Sequence, residues 1–212
     1  MRTPKHSRFP GPAAESPGHW QVGLSVDIPR AGNNHHEIRS VLLELKVNIR
    51  PETPSDIEVI SQVTKAAFED HPISRHTEHY IVQALRNTNA LTLSLVAEVD
   101  GQVVGHIAFS PVTISDSTPN WYGIGPVSVL PQFQRRGIGK SLIQEGLSMI
   151  KRAGGAGCVL VGDPIYYGRF GFRNIAALIH EGVPQEVFLG LPFDERIPRG
   201  SVVFHEGFRA TE

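Results

Sequence analysis

Two long apolar runs joined by a single Asp-Gly step constrain this chain more than any other feature. "LTLSLVAEV" ends at Val99, "QVVGHIAFSPVTI" begins at Gln102, and Asp100-Gly101 stands between them. An Asp-Gly pair tolerates the positive φ angles of a two-residue hairpin turn, so the two runs are expected to pair as antiparallel strands. "WYGIGPVSVL", residues 121–130, reads as a third strand, and its Gly123, Gly125 and Pro126 predict a bulge or a splay, because both residue types interrupt regular pairing. Ile138, Leu142, Ile143, Met149 and Ile150 then recur at helical spacing as far as about Ala153, and "GGAGCVLVG" reads as a buried strand. Strand–helix–strand over 124–161 requires a parallel crossover. The expected fold class is therefore α/β in the mixed α+β sense, a mostly antiparallel sheet with one parallel crossover.

The rest of the chain fits around that unit. The domain is expected to span residues 46–212, opening with the strand "KVNIR". A helix follows, with Thr53 as N-cap, Pro54 at its first position and Asp56 near its positive end. A second helix covers "TEHYIVQALRN", "DPIYYGRFGF" turns into a short helix, and "EVFLG" and "GSVVFHEGF" supply late strands. Residues 1–45 are dense in Pro, Gly, Ser and His without periodicity and read as a disordered extension, in which "IRSVLLELK" adds a strand or short helix.

Composition narrows the classes. Of the 212 residues 40% are apolar and the formal net charge is -1, which excludes whole-chain disorder and a bulk electrostatic affinity for nucleic acid. The one cysteine, Cys158, lies in an apolar strand and reads as a small buried residue, excluding an intramolecular disulfide framework. No run approaches the length of a membrane span and no secretory signal is visible, so a cytoplasmic location is expected.

"VLPQFQRRGIGKSLI", residues 129–143, carries the chemistry. Three readings compete for it. Gly139-Lys140-Ser141 matches the end of a Walker loop, but Gln134 stands where its first glycine belongs. A plain strand-to-helix loop with solvated arginines is the second. The third is a pyrophosphate cradle. Gly137 and Gly139 let successive backbone N–H groups converge at a helix N-terminus, with Arg135, Arg136 and Lys140 adding charge and no metal needed.

Gln134 to Gly139, Q-R-R-G-I-G, fits the [QR]-x-x-G-x-[GA] acetyl-CoA motif of the GNAT N-acetyltransferase superfamily. "VLVGDPIYYGRFGF" resembles the tyrosine-containing segment of its YhbS-like branch. The resemblance runs from about Lys46 to Phe208. It implies an acyl-CoA N-acyltransferase fold with splayed central strands. Acetyl-CoA would be the cosubstrate, and its acetyl group would pass by direct attack to a primary amine of a small molecule or a protein. The backbone of Val127, Ser128 and Val129 would pair with the pantetheine arm. The loop from Gln134 through Arg135, Arg136, Gly137, Ile138 and Gly139 to Lys140 would hold the pyrophosphate. Tyr167, with Tyr166 as the alternative in an ambiguous register, would be the acid for the departing thiolate. Many members pair as dimers, so a homodimer is an expectation of the resemblance alone.

No general base stands out: Glu98, His106, Asp163 or water could serve, and His106 reads more readily as a sheet residue. His71, His76 and His79 lack a further ligand at metal spacing. The alternative to an enzyme is a non-catalytic acyl-CoA sensor or interaction module, which would keep the cradle without turnover.

Overall fold

The computed structural model describes residues 46–71 and 74–211; the proposed extension 1–45, with its additional element, lies outside the described residues. The strands are β1 Val47–Pro51, β2 Leu93–Val99, β3 Gln102–Ile114, β4 Trp121–Val129, β5 Gly157–Val161, β6 Leu178–Ile179, β7 Phe188–Pro192 and β8 Gly200–Phe204. The helices are α1 Ile57–Phe68, α2 Glu78–Asn87, α3 Ile138–Arg152 and α4 Pro164–Tyr167. The sheet runs β1-β2-β3-β4-β5-β7, with β8 paired to the far end of β3 and the two-residue β6 parallel to β8. Along the main path β4–β5 is the parallel pair and the remaining pairs are antiparallel. The sequence had not disclosed β6, because two residues carry no periodicity.

The β2–β3 hairpin turns at Asp100 (φ 50°) and Gly101 (φ 78°), the two positive angles that the Asp-Gly pair supplies cheaply. Both faces of this hairpin are covered, which explains why its strands read as nearly continuous apolar runs. Leu95, Ala97 and Val99 join Ile138, Leu142 and Ile143 of α3 in one cluster, while Val96 and Val103 meet Ile60 and Val63 of α1 and Val82 of α2 on the other face. Each fully buried aliphatic side chain of these stripes contributes roughly 1.5–3 kcal/mol.

The start of α1 differs slightly from expectation. Pro54–Asp56 forms a 3-10 turn and the α-helix begins at Ile57. The Asp56 carboxylate accepts from the Thr53 backbone N–H at 2.7 Å and hydroxyl at 2.8 Å, as well as from two Arg50 nitrogens at 2.7 and 3.0 Å. The Arg50 hydrogen bonds, foremost, hold the Asp56 carboxyl well below the usual carboxylate range. Arg50 also donates to Glu98, tying β1, β2 and the entry to α1 together.

Candidate active site

The site begins with a strand that is paired on one side and abandoned on the other. β4 pairs with β3 along its length, but Phe109 faces Ile124 and Ile107 faces Val127, so Gly125 and Pro126 stand opposite Ala108 alone. That extra residue is the bulge foreseen at 123–126, and Gly125 at φ 145° adopts a backbone that other residues avoid. Towards β5, pairing covers Trp121–Gly123 against Gly157–Val159 and then stops. Leu160 and Val161 stay with β7, so the strands splay and the β5-side edge of Ile124–Val129 is open.

Strand alternation decides which backbone groups face that opening. The Leu130 N–H donates to the Val104 carbonyl of β3 at 2.9 Å, so Ser128, two residues earlier, also turns its N–H and C=O to β3, where it faces His106. Val127 and Val129 therefore point theirs into the splay. The Ser128 side chain is equally occupied, fully buried with its hydroxyl donating to Thr64 of α1 at 3.2 Å. Of the three β4 residues singled out in the sequence, two have main chain available to a strand-like partner and Ser128 does not.

Downstream, the chain reaches α3 through a loop of alternating handedness. Arg135 sits at φ 61° and Gly137, the N-cap of α3, at φ 85°. Such alternation makes a concave nest of N–H groups. Among the described residues the backbone N–H groups of Arg135, Arg136, Gly137, Ile138, Gly139 and Lys140 have no backbone acceptor, and the first bond closing the helix runs from Ser141 to Gly137 at 3.0 Å. Six free donors converge where the helix dipole favours negative charge. Gly137 is required for its backbone angle and not for space, since a Cβ there would meet nothing within 4 Å. Arg135, Arg136 and Lys140 are exposed, and the Arg136 guanidinium lies 5.6 Å from the Phe133 ring centroid. Gln134 makes a contact that no local pattern announces. Its side-chain amide donates to the Val129 carbonyl at 3.0 Å, latching the loop onto the open edge of β4. The groups left free on that edge are thus the Val127 N–H and C=O and the Val129 N–H.

The tyrosines sit on the opposite wall, just after β5. The Asp163 carboxylate accepts from the Ile165 N–H at 2.8 Å and its carbonyl from the Tyr167 N–H at 2.9 Å, fixing α4. A Cβ at Gly162 would run into the Tyr167 ring, so glycine at this position is what lets the ring fold back beneath β5. Tyr167 is 2% exposed and packs edge-on against Tyr166 and Phe172, with centroids 5.2 and 5.9 Å away. Burial pushes its phenol well above the ordinary value, which keeps it protonated. Tyr166 is half-buried and leans toward Arg169, whose guanidinium is 5.6 Å from its ring centroid; burial raises its phenol too.

The candidate bases are otherwise engaged. Glu98 accepts from Arg50 at 3.0 Å, and Asp163 is an exposed helix cap. His106 is fully buried, its Nε2 is 2.8 Å from the Ser94 hydroxyl, and burial lowers its pKa to about 4. Ser94 in turn donates to Glu52, which pairs with Arg86 at 2.9 Å. Cys158 is buried and burial raises its thiol pKa, as a small core residue requires. His71, His76 and His79 belong to no cluster of three or more metal-ligating side chains among the described residues.

An open strand edge leading into a nest of free N–H groups at a helix start is the arrangement expected of the acyl-CoA N-acyltransferase class. The family model described as an acetyltransferase (GNAT) domain matches residues 48–175. The N-acetyltransferase YhbS of Escherichia coli strain K12 is 38% identical over 129 residues, which cover 60% of this chain and 74% of that protein. A GNAT family acetyltransferase from Brucella melitensis, solved in complex with acetyl-CoA, is 50% identical with a TM-score of 0.69, covering 77% of this chain and 99% of that one. Escherichia coli YhbS, solved in complex with CoA, has a TM-score of 0.72 at 33% identity, covering 79% of this chain and 94% of its own. The chain belongs to the GNAT acetyltransferase family and has its mixed α/β fold.

Proposed function

We propose that the protein transfers the acetyl group of acetyl-CoA to a primary amine. The observation that carries this is the continuity of donors from the open edge of β4 at Val127 and Val129 into the six free N–H groups at the start of α3. The pantetheine amides would add as a strand to that edge, and the pyrophosphate would seat in the nest. Similarity to relatives solved with acetyl-CoA and with CoA supports the same occupant.

Anchoring the carrier there would place the thioester in the splay between β4 and Tyr167. The acceptor first gives its ammonium proton to water; the neutral amine then attacks the thioester carbonyl carbon, a C–N bond forms, and the C–S bond breaks. The tyrosine hydroxyl gives its proton to the departing thiolate while the nitrogen loses one to water. Tyr167 is the acid in this reading, because Gly162 and the Asp163 cap fix its ring on the β5 wall, whereas Tyr166 leans outward onto Arg169. Most of the rate comes from holding two reactants in one geometry, with the acid adding to it. Such a reaction belongs in the cytoplasm, where acetyl-CoA is at hand.

Titration calorimetry tests the first half: acetyl-CoA should bind without a metal ion. An amine panel with free-thiol release as readout tests the second. Failure to bind any acyl-CoA would sink the proposal, and binding without thiol release from any amine would leave a sensor instead of an enzyme.

A further inference from the structure

We propose that Glu78 selects the acceptor, its carboxylate receiving the ammonium group of an alkylamine on the face of β4 opposite α3. This rests on the acyl-transfer reading and names the substrate class that reading leaves open.

Glu78 is 5% exposed. Its Oε1 accepts from the Ser74 hydroxyl at 2.7 Å, whereas Oε2 is buried with no hydrogen-bond partner among the described residues. None of the ion pairs among the described residues involves it. A buried carboxylate oxygen without a donor is costly, and folded proteins seldom retain one without a use for it. A ligand carrying a positive charge and N–H donors supplies what is missing.

The helix hairpin puts this group on the α1–α2 side of the sheet, toward β4. Thr64 of α1 lies on Ser128 of β4, and α2 packs back along α1 until Arg86, near its other end, reaches Glu52 beside β1 and β2. The first turn of α2 therefore lies at the β4 end of the hairpin. Glu78 precedes Ile81 and Val82 by three and four residues, so it shares their sheet-facing side. Ile81 packs with Leu85 and Phe208 beside Phe204, and the Phe204 ring fills the space next to Gly123, where β4 parts from β5. The nest at the start of α3 serves the other face of the sheet. Acyl donor and cationic acceptor would thus reach the gap from opposite sides of the sheet.

Glu78→Gln keeps the shape and removes the charge. Phenethylamine, an ammonium at neutral pH, and p-anisidine, a largely neutral arylamine, are the probes. With acetyl-CoA saturating, the variant should raise the KM for phenethylamine about 10- to 100-fold, since hydrogen bonds to charged groups carry that much discrimination. The KM for p-anisidine and the Kd of acetyl-CoA should stay within about twofold by the same reasoning. Phenethylamine should also raise the Tm of the wild-type protein and not that of the variant, a readout independent of turnover. The ligand-free variant should melt no lower than wild type, because it loses an unpaired buried charge. An unchanged phenethylamine KM overturns the proposal, as does a lower ligand-free Tm with equal losses on both amines, which marks a structural carboxylate. If no amine releases thiol, the transfer reading fails, and the Tm arm still decides recognition: no phenethylamine shift in the wild-type protein overturns it.

Discussion

The two sides of β4 are built to opposite specifications. Toward β3, its hydrogen-bonding groups are matched on either side of the bulge, and the Ser128 hydroxyl is matched by Thr64. Toward β5, pairing ends at Gly123 and Val127 and Val129 are left open. The matched side should govern stability and the open side function, because a free main-chain group beside a cleft is solvated until a ligand displaces the water, whereas one lost from a buried ladder has no replacement.

The largest effect expected on the open side is chemical. Tyr167→Phe should lower kcat by about 10²- to 10⁴-fold, the usual worth of a positioned proton donor, with the Kd of acetyl-CoA changed little. Steady-state thiol release and calorimetry together check this; an equal loss in Tyr166→Phe and none in Tyr167→Phe would reverse the register. A pair of proline substitutions separates the two sides directly. Ser128→Pro removes an N–H that faces β3 and should cost on the order of 3 kcal/mol in denaturant unfolding. Val127→Pro removes an N–H that faces the splay, so it should fold with a smaller loss yet bind acetyl-CoA far more weakly. Equal destabilisation by both would break the comparison.

The matched side should also carry the acid sensitivity. His106, opposite Ser128, has a folded pKa lowered by burial to about 4, against an ordinary 6.5. Between those values the unfolded chain binds a proton that the folded protein refuses. Stability is thus full above about pH 6.5 and falls toward pH 4, by on the order of 3 kcal/mol. Asp56, held low chiefly by its Arg50 hydrogen bonds, adds a further loss only below the ordinary carboxylate range. Tm measured across this range should show the two stages in that order. The smallest effect is expected from Gly137→Ala. Its Cβ meets nothing, so the change acts through φ 85°, at a cost of about 1–2 kcal/mol, read as roughly tenfold weaker acetyl-CoA binding with α3 intact.

Much of this was legible because it is local. Asp100-Gly101 specified its own turn, the apolar stripe of α3 its own helix, and the residues from Gln134 to Lys140 announced an anion cradle through glycine and a helix start. The bulge at 123–126 was legible for the same reason. The role of Ser128 was not: its direction depends on register with β3, and a shift of one residue would have exchanged it with its neighbours. That the Gln134 side chain reaches Val129 and that Glu98 is held by Arg50 were equally hidden, whereas His106, read more readily as a sheet residue, is one, bonded to Ser94.

By itself, then, the sequence determined the elements, their order and the position of the cradle, since backbone preferences and periodicity act over a few residues. Tertiary structure alone decided where β4 leaves β5, which of its amides are spare, that Tyr167 and not Tyr166 is buried beneath β5, and that Glu78 is closed in with one oxygen unpartnered among the described residues. Those outcomes depend on partners far away in the chain, and burial is a property of the assembled layers.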